Sequence, residues 1–497
     1  MNFKQINYSV DEMNELFSKV ENIENAVSEV VIDVVNEGCD NAGEVDNLAI
    51  LKEIFGRVEN NTVIYFPAGD YMIGNGDEAQ TLLTLEGLDN VTIKGAEEGI
   101  SKLILNENTP VGAGYGIFEL NQCTNCTIIN LELDGNVQKR HEKHGSLWDD
   151  EAIDFTKMSN IEIASGENIL IENVNSHHPA MDCICIGKHK DAPNGRNIVI
   201  KNCIFEYGYR QGINIAGWDK GLMQKCIIGE TGLATNLKEE GEPETLGTFP
   251  MAGINSKTLS TNYDWTIEEC IFNNNSVDVN DGSIRFTLRD SIFNNSNIKS
   301  SSPAQESRAH DVIVKNNFML NSVVDIYNKG FVFEENTFKI KSGTNAQLKF
   351  VHDSNNIWYE KGADIIEFRN NIVMIVEGDD GLIVPRTNIC YPYFSGEMVM
   401  DNNVFINCFF NTSTNNDGTF GIFKNNVFKM SGEGKYDLNE AKHLIQGNHF
   451  IGDFYIGAET RKVSSDPSVG VMGFDKESGK PIWWNGTAWV DATGNAI

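Results

Sequence analysis

Phe423-Lys-Asn-Asn-Val-Phe428 is one copy of a short phrase that recurs along this chain of 497 residues. Apolar residues alternate with polar ones, an Asn or Cys follows, and apolar residues resume. Ile200-Lys-Asn-Cys-Ile-Phe205, Phe333-Glu-Glu-Asn-Thr-Phe338 and Met400-Asp-Asn-Asn-Val-Phe405 are further copies. The phrase returns roughly every twenty-two residues, with longer intervals in places. Short strands with period-two alternation at this spacing predict the coils of a parallel β-helix.

The Asn or Cys of each copy marks one corner of the predicted coil. Equivalent positions are Cys203, Cys226, Cys270, Ser291, Asn317, Asn336, Asn371, Asn403, Asn426 and Asn448. Asn tolerates the left-handed backbone that a sharp corner needs, and stacked Asn side chains can form a hydrogen-bonded ladder. A leucine-rich repeat has an overlapping period, but its Leu-x-x-Leu-x-Leu frame is missing from the sequence. We therefore predict an all-β chain built on a right-handed, single-stranded parallel β-helix.

Charge and cysteine usage narrow the functional classes. The formal charge is −32, with 71 acidic against 39 basic residues, which argues against partners such as nucleic acid or an anionic membrane surface. The ten Cys lie mostly in strands and corners, including the pairs Cys123/Cys126 and Cys183/Cys185. Neither pair has a matching second pair for a zinc site, so we expect buried free thiols and assembly in a reducing cytoplasm.

The chain is predicted to contain four segments. Residues 1–32 carry an apolar seam at Met13, Leu16, Val20, Ile23, Val27 and Val30, typical of a helix that either caps the first coil or forms an oligomerising stalk, most naturally of a trimer. Residues 33–76 form an N-terminal cap, 77–460 the β-helix and 461–497 a Trp-rich β module. The beginning of the chain lacks the features of a signal peptide, and no stretch is long enough to insert in a membrane.

Two stretches resemble known families. Thr62-Val-Ile-Tyr-Phe-Pro-Ala-Gly-Asp-Tyr71, preceded by a short helix starting at Asp46, resembles the opening of pectate-lyase-superfamily β-helix proteins, which include phage tailspikes and polysaccharide hydrolases and lyases. Residues 473–494 are similar to a short tail at the C-terminus of many bacteriophage virion proteins. This tail contains Trp483, Trp484 and Trp489 around Asn485-Gly486, a strong hairpin signal.

Candidate catalytic residues come from an alignment of coils. Phe118-Glu-Leu120, Ile153-Asp-Phe155, Ile184-Cys-Ile186, Ile213-Asn-Ile215 and Ile254-Asn-Ser256 are predicted to be successive rungs of one sheet. Their middle residues then face outward, with Glu119 and Asp154 on neighbouring rungs. Two carboxylates at that distance could act as a glycosidase pair. Asp149 and Asp182 precede these strands, so the candidate catalytic set is Glu119, Asp149, Asp154 and Asp182.

Candidate carbohydrate contacts surround the same coils. They are His141, His144 and Trp148 in an insertion made basic by Lys139, Arg140 and Lys143, together with Arg210, Gln211, Asn214 and Asn255. Tyr209-Arg-Gln-Gly-Ile213 and Phe249-Pro-Met-Ala-Gly-Ile254 resemble paired segments of some β-helix carbohydrate-active proteins, which place Asp and Glu where this chain has Asn255 and Lys257. The resemblance carries over Arg210 and Gln211 and implies sugar binding without those two carboxylates.

Metal binding is not expected at His177-His178, because adjacent residues on an extended segment point in opposite directions. The acidic loop 235–250 could bind Ca²⁺, and no other cofactor is expected. Taken together, we interpret the sequence as a bacteriophage tailspike or tail-fibre protein that binds bacterial surface polysaccharide during adsorption. Three copies of the chain would form a homotrimer, which would be assembled in the host cytoplasm. In the virion this homotrimer would contact other tail proteins. The alternatives are an active polysaccharide depolymerase, either hydrolase or lyase, and a purely structural tail component.

Overall fold

The structure is a computed structural model that describes most of the N-terminal half of the chain and separated segments of the rest. The described residues are 30–74, 80–111, 114–144, 158–187, 192–232, 252–256, 262–275, 277–281, 284–295, 297–300, 311–326, 330–342, 348–351, 366–377, 391–393, 397–408, 420–429, 434–435, 443–451, 454–455, 472–475, 480–485, 487–491 and 495. The chain divides into two compact units, Met1–Cys270 and Ile271–Ile497.

Two helices and forty-four strands are described. The first unit contains β1 (Val30–Asp33), β2 (Ala42–Asp46), α1 (Leu48–Gly56), β3 (Thr62–Phe66), β4 (Gly69–Ile73), β5 (Leu83–Glu86), β6 (Val91–Gly95), β7 (Ser101–Leu105), β8 (Phe118–Asn121), β9 (Thr127–Asp134), α2 (Val137–His144), β10 (Ile161–Ala164), β11 (Glu167–His177), β12 (Asp182–Gly187), β13 (Gly195–Lys201), β14 (Ile204–Glu206), β15 (Gln211–Ala216), β16 (Trp218–Gln224), β17 (Ile227–Gly229), β18 (Ala252–Asn255) and β19 (Tyr263–Glu268).

The second unit contains β20 (Ile271–Asn273), β21 (Val277–Asp281), β22 (Ile284–Arg289), β23 (Ile292–Asn294), β24 (Asn297–Ser300), β25 (Val312–Lys315), β26 (Phe318–Leu320), β27 (Val323–Ile326), β28 (Phe331–Glu334), β29 (Thr337–Lys341), β30 (Leu348–Val351), β31 (Ile366–Arg369), β32 (Ile372–Val376), β33 (Tyr391–Tyr393), β34 (Glu397–Asp401), β35 (Val404–Ile406), β36 (Phe420–Lys424), β37 (Val427–Lys429), β38 (Gly434–Lys435), β39 (His443–Gln446), β40 (His449–Ile451), β41 (Phe454–Tyr455), β42 (Met472–Asp475), β43 (Lys480–Trp484) and β44 (Trp489–Asp491).

In the first unit each strand pairs in parallel with its counterpart one coil later, and like residues stack. An unbroken column of paired residues runs through Ile64, Ile93, Ile128, Ile171, Ile200, Met223 and Ile267, all of them buried. Strands β5, β8, β10, β12, β15 and β18 belong to a second sheet, and this part of it is here called the short sheet. Buried aliphatic side chains of both sheets fill the coil interior, as the repeated phrase predicts.

In the second unit the same stacking uses aromatic residues and asparagine. Phe405 and Phe428 are paired in register with ring centroids 5.2 Å apart, and Phe272 and Phe293 stack at 4.5 Å. The predicted Asn ladder is present: the Nδ2 of Asn336 donates to Asn371 Oδ1 at 3.0 Å. The same donor–acceptor step joins each marker to the next through Asn317, Asn336, Asn371, Asn403, Asn426 and Asn448.

The left-handed corner lies one position earlier than the sequence suggests. The markers other than Asn448 are buried, and the Asn markers from Asn317 to Asn426 bond to the next coil, whereas positive φ angles occur at the residue before each marker. These corner residues are Asn202, Lys225, Glu269, Asp290, Asn316, Glu335, Asn370, Asn402, Asn425 and Gly447. Asn is therefore selected at the marker for its hydrogen bonds. The adjacent corner also accepts Lys and Glu, so its strain is offset by the coil around it.

Two differences concern the N-terminal part of the chain. Residues 1–29 of the predicted helix lie outside the described residues, and Val30–Asp33 form a strand paired with β3 in place of the last predicted helical turn. These residues form a strand and not a helical turn because Val30, Val31 and Ile32 are β-branched, and β-branched residues favour strands. The helix expected after Asp46 is α1, whose N-cap is Asn47, while Asp46 Oδ1 accepts the Leu48 N–H at 3.0 Å.

The C-terminal module is a three-stranded antiparallel sheet of β42, β43 and β44. Trp484 is paired with Trp489, so the connection spans residues 485–488 and is longer than the predicted two-residue turn. Asn485 shapes it by accepting the backbone N–H groups of Thr487 and Ala488 at Oδ1, each at 2.8 Å.

Two further features of the described residues are the state of their cysteine thiols and the length of their apolar helices. Nine cysteines there are free thiols, eight of them buried and Cys185 partly exposed. Among the described residues no helix is both long and apolar enough to cross a membrane.

Candidate functional site

One face of the short sheet in the first unit carries a column of polar side chains. Ile161, Ile184 and Ile213 are paired in register and buried in the core, so the residues between them face the other way. From coil to coil these positions are Thr84, Glu119, Glu162, Cys185, Asn214 and Asn255. We call this set the polar column.

The structure corrects the rung that follows Glu119. Phe118-Glu-Leu120 pairs with Ile161-Glu-Ile163, and that strand pairs directly with Ile184-Cys-Ile186. The predicted rung at 153–155 is therefore not between them, and Asp154 itself lies outside the described residues, as do Asp149 and Trp148. Glu162 occupies the position assigned to Asp154.

Glu119 and Glu162 have different surroundings. Glu119 is buried and accepts a hydrogen bond from Thr84 Oγ1 at 3.0 Å. Glu162 is partly exposed and accepts the Ser159 backbone N–H at 3.1 Å. Desolvation raises the pKa of Glu162 to about 7, with a smaller contribution from the nearby charge of Asp182. Near neutral pH this carboxyl can therefore either give or take a proton.

Asn214 and Asn255 belong to the polar column, as predicted, but both are buried and form hydrogen bonds within it. Asn255 Nδ2 donates to Asn214 Oδ1 at 3.1 Å, and Asn214 Nδ2 lies 3.4 Å from Cys185 Sγ. Only 8% of Asn214 and 3% of Asn255 is exposed. Their amides therefore order this face, and the partly exposed groups of the column next to them are Glu162 and Cys185.

A second column on the same face is made of small side chains. Asn121, Ala164, Gly187 and Ala216 are paired in register, two residues along each strand from the polar column. All four are partly exposed. We call Ala164, Gly187 and Ala216 the small-residue column. Short side chains beside longer ones leave a shallow trough along the sheet.

Asp182 and Arg210 form a buried ion pair at the start of the short-sheet strands. Asp182 is fully buried, and Arg210 Nε donates to its Oδ1 at 2.9 Å while Nη2 contacts Oδ2. Burial raises the pKa of Asp182, and Arg210 opposes that rise. Asp182 is thus held as a structural partner of Arg210. Gln211, in register with Asp182, is buried with its Oε1 lacking a partner among the described residues.

The predicted basic loop is partly helical, and its arginine is not at the surface. His141 and His144 lie in α2, and Lys143 pairs with Glu107 at 2.9 Å. Arg140 is fully buried and donates to the carbonyls of Thr109 and Gly135 at 3.0 Å and to that of Pro110. Desolvation lowers the pKa of Arg140 to about 9. Arg140 therefore anchors α2 and is not available to a sugar. The acidic loop 235–250 lies outside the described residues.

The imidazoles of His177 and His178 do not point in opposite directions, as an extended segment would require. His178 has a φ of +49°, so the backbone turns sharply after β11 and both imidazoles lie on one side. Among the described residues, Asp134, His177 and His178 form one group of metal-binding side chains, with one ligand atom each and all three atoms within 4.8 Å of one another.

Comparisons with known proteins agree with the coiled topology. A family model described as a right handed beta helix region matches residues 115–319. The chain is a right-handed parallel β-helix. No curated protein sequence matches this β-helix.

Several solved structures resemble the β-helix. The mannuronan C-5 epimerase AlgE6 A-module of Azotobacter vinelandii gives a TM-score of 0.49 at 13% identity, covering 84% of this chain and 99% of that chain. The Dettilon tailspike protein gp208 gives 0.45 at 14% identity, covering 92% and 76%. The N-terminal fragment of bacteriophage Phi29 gene product 12 gives 0.46 at 12% identity, covering 89% and 68%. Similarity at this level says nothing about ligand or activity.

Proposed function

We propose that this β-helix binds an extended carbohydrate along the outer face of the short sheet. The observation that carries the proposal is the in-register arrangement of Glu119 and Glu162 beside the small-residue column. A polymer lying across the strands would find the same two columns at each coil, spaced about 4.8 Å apart. Carboxylate oxygens accept hydrogen bonds from sugar hydroxyls, while small side chains let a sugar ring approach the backbone.

The charge of the chain favours a particular kind of polymer. With a formal charge of −32 the β-helix repels acidic polysaccharides at low ionic strength. Arg210, a cation whose charge acts on Cys185 of the column, is already paired with Asp182. The proposed ligand is therefore a neutral polysaccharide of a bacterial surface.

The proposed setting is a bacteriophage tail. The N-terminal block that resembles pectate-lyase-superfamily proteins and the Trp-rich tail similar to those of virion proteins support this assignment. The protein would then be a tailspike or tail-fibre subunit that forms a homotrimer. The homotrimer would join the other tail proteins in the host cytoplasm. Virions whose adsorption is unaffected by antibodies against the β-helix would contradict this setting.

The binding proposal can be tested with a panel of purified neutral and acidic bacterial polysaccharides. Ala164→Phe fills the trough and Glu162→Gln removes a carboxylate from the polar column, so both should weaken binding to the polymer that the wild type retains. Glu172→Gln is the matched control, because Glu172 lies on the other sheet and pairs with Lys201. Undiminished binding by both column variants would show that the ligand lies elsewhere.

A second function, glycoside hydrolysis, is favoured by one observation. Glu162, with its pKa raised to about 7, is in register with Glu119 on the neighbouring rung. Retaining glycosidases place their carboxyl groups roughly 5–5.5 Å apart, close to the spacing of rungs. Glu162 would protonate the glycosidic oxygen while Glu119 attacks the anomeric carbon. Water would then hydrolyse the glycosyl–Glu119 ester as Glu162 takes back its proton.

Product analysis separates the two functions. Incubation of the protein with a polysaccharide that it binds should release new reducing ends if it is a hydrolase and unsaturated ends if it is a lyase. Retained binding with neither product identifies a binding protein. Running each reaction with added Ca²⁺ and with EDTA tests whether Ca²⁺, which the acidic loop 235–250 could bind, affects the outcome.

A further inference from the structure

The ends of β9 and β11 bring together a group of side chains outside the polar column. His177 Nδ1 and His178 Nδ1 lie 2.7 Å apart, and Asp134 Oδ1 lies 3.6 Å from His177 Nδ1. Asp134 is the register partner of His177 on the neighbouring coil. We call Asp134, His177 and His178 the His–Asp cluster.

The backbone around the His–Asp cluster is held by several hydrogen bonds. The His177 carbonyl accepts the Gly135 N–H and Asn160 Nδ2, both at 3.0 Å, and the His178 carbonyl accepts the Val137 N–H at 3.0 Å. Gly135 cannot be larger, because a Cβ there would lie 2.5 Å from the His178 carbonyl oxygen. The left-handed bend at His178 is therefore imposed by the coil next to it.

Neighbouring side chains orient both imidazoles. Glu132 Oε1 lies 3.2 Å from His177 Nε2, so Nε2 carries the proton and the Nδ1 lone pair is directed at the cluster. The ring of His178 stacks on Tyr207 at 4.7 Å with an interplanar angle of 6°. Carboxylate–histidine pairs of this kind are the usual support of metal-binding imidazoles.

Distances and charge permit one cation to contact all three side chains. Two nitrogens 2.7 Å apart are closer than twice a Zn–N bond of about 2.0–2.1 Å, so one ion can reach both. Lys102 pairs with Glu132 at 2.9 Å and with Asp134 Oδ2 at 3.1 Å. Lys102 therefore leaves Asp134 Oδ1 facing His177. Because one ammonium group is opposed by two carboxylates, the site keeps a net negative charge.

We propose that the His–Asp cluster binds a divalent transition metal ion, with Zn²⁺ the best match. Two imidazole nitrogens and one carboxylate oxygen suit Zn²⁺ and its neighbours, whereas Ca²⁺ and Mg²⁺ prefer oxygen ligands alone. The ion replaces the hydrogen-bond proton shared by the two Nδ1 atoms, and the displaced proton moves to His178 Nε2. Asp134 and His177 remain partly exposed, with side-chain exposures of 18% and 14%. A fourth position is therefore open to water or a ligand.

Zinc titration of the tag-free full-length protein, first stripped with EDTA, tests the proposal. Calorimetry should show one Zn²⁺ per chain, Co²⁺ should give the visible absorption of a tetrahedral site, and Ca²⁺ should not compete. His178→Asn should abolish this binding while retaining the left-handed backbone, which Asn tolerates. Glu132→Gln keeps all three ligands but removes the carboxylate that orients His177 and pairs with Lys102, and it should weaken binding by about 10–100-fold.

His449→Asn is the matched control, since His449 is exposed and lies in the second unit. Zinc affinity should be unchanged in this variant. Circular dichroism of each variant in EDTA checks folding, and Glu132→Gln keeps the test valid if His178→Asn is misfolded. Absence of stoichiometric binding by the wild type, or equal binding by the His178 and Glu132 variants, would overturn the proposal.

Discussion

Glu119 and Glu162 occupy the same position on neighbouring coils, with their Cα atoms paired in register. Glu119 is buried against Thr84, and Glu162 is desolvated enough to raise its pKa to about 7. Two carboxyl groups in register therefore have different surroundings, and the raised pKa of Glu162 suits a general acid near neutral pH.

The raised pKa of Glu162 predicts a pH dependence of stability. A carboxyl whose pKa is higher in the folded than in the unfolded state stabilises the fold below about pH 4.5, and this contribution is lost as pH rises through about 7. Glu162→Gln should remove up to ~3 kcal/mol of this pH dependence. Urea unfolding at several pH values measures it. Glu172→Gln should leave the dependence intact, and an identical profile in the wild type and Glu162→Gln would refute the prediction.

The Asp182–Arg210 pair predicts a large loss of stability when one partner is removed. Arg210→Ala leaves a fully buried carboxylate without its cation and should lower the free energy of unfolding by about 3–5 kcal/mol. Arg196 pairs with Glu167 at 2.7 Å but is 62% exposed, so Arg196→Ala should cost less than about 1 kcal/mol. Thermal unfolding of the two variants compares them, and equal losses would contradict the assignment of Asp182 to a structural role.

The fold could be predicted because its signal is repeated at every coil. The phrase around Cys203, Asn336 or Asn426 places apolar residues inward and a hydrogen-bonding side chain next to the corner, and each copy confirms the others. The position of the left-handed residue could not be predicted in this way. Lys225 and Glu335 adopt positive φ angles because stacking against the next coil outweighs their local preference.

The candidate site could be predicted less well, because the short-sheet strands between insertions do not carry the repeated phrase. Ile153-Asp-Phe155 and Ile161-Glu-Ile163 fit the alternation equally well, so alternation alone does not distinguish Asp154 from Glu162. A spacing signal was available: Ile161 precedes Ile171 by ten residues, as Ile213 precedes Met223. The bend at His178 depends on contacts with Gly135 and Val137 on another coil, which local sequence does not contain.

The Asn ladder of the second unit predicts a cost for removing one member. Asn371 Oδ1 accepts both the backbone N–H of Asn336, at 2.9 Å, and its Nδ2, at 3.0 Å. Asn371→Ala leaves these two buried donors unsatisfied, and each should cost about 1–3 kcal/mol. Urea unfolding and amide exchange at Asn336 would measure the loss.

Asn370→Gly is the control for the ladder. Asn370 is exposed and has a φ of +56°, a conformation that Gly adopts without strain. This variant should unfold within about 0.5 kcal/mol of the wild type. A larger effect at Asn370 than at Asn371 would assign the stabilisation to the corner and not to the ladder.

Glycines opposite tryptophans predict a steric limit on the coils of the first unit. Gly221 is in register with Trp265, and a Cβ on Gly221 would lie 2.3 Å from the indole Cε3. Gly221→Ala should therefore lower stability by at least about 1–3 kcal/mol, the usual cost of overpacking. At Gly187 the nearest atom to an added Cβ is the Ala216 carbonyl oxygen at 3.8 Å, so Gly187→Ala should be tolerated. The melting midpoints of the two variants test this prediction. A loss of backbone flexibility alone would change both midpoints equally, whereas the indole contact would lower only that of Gly221→Ala.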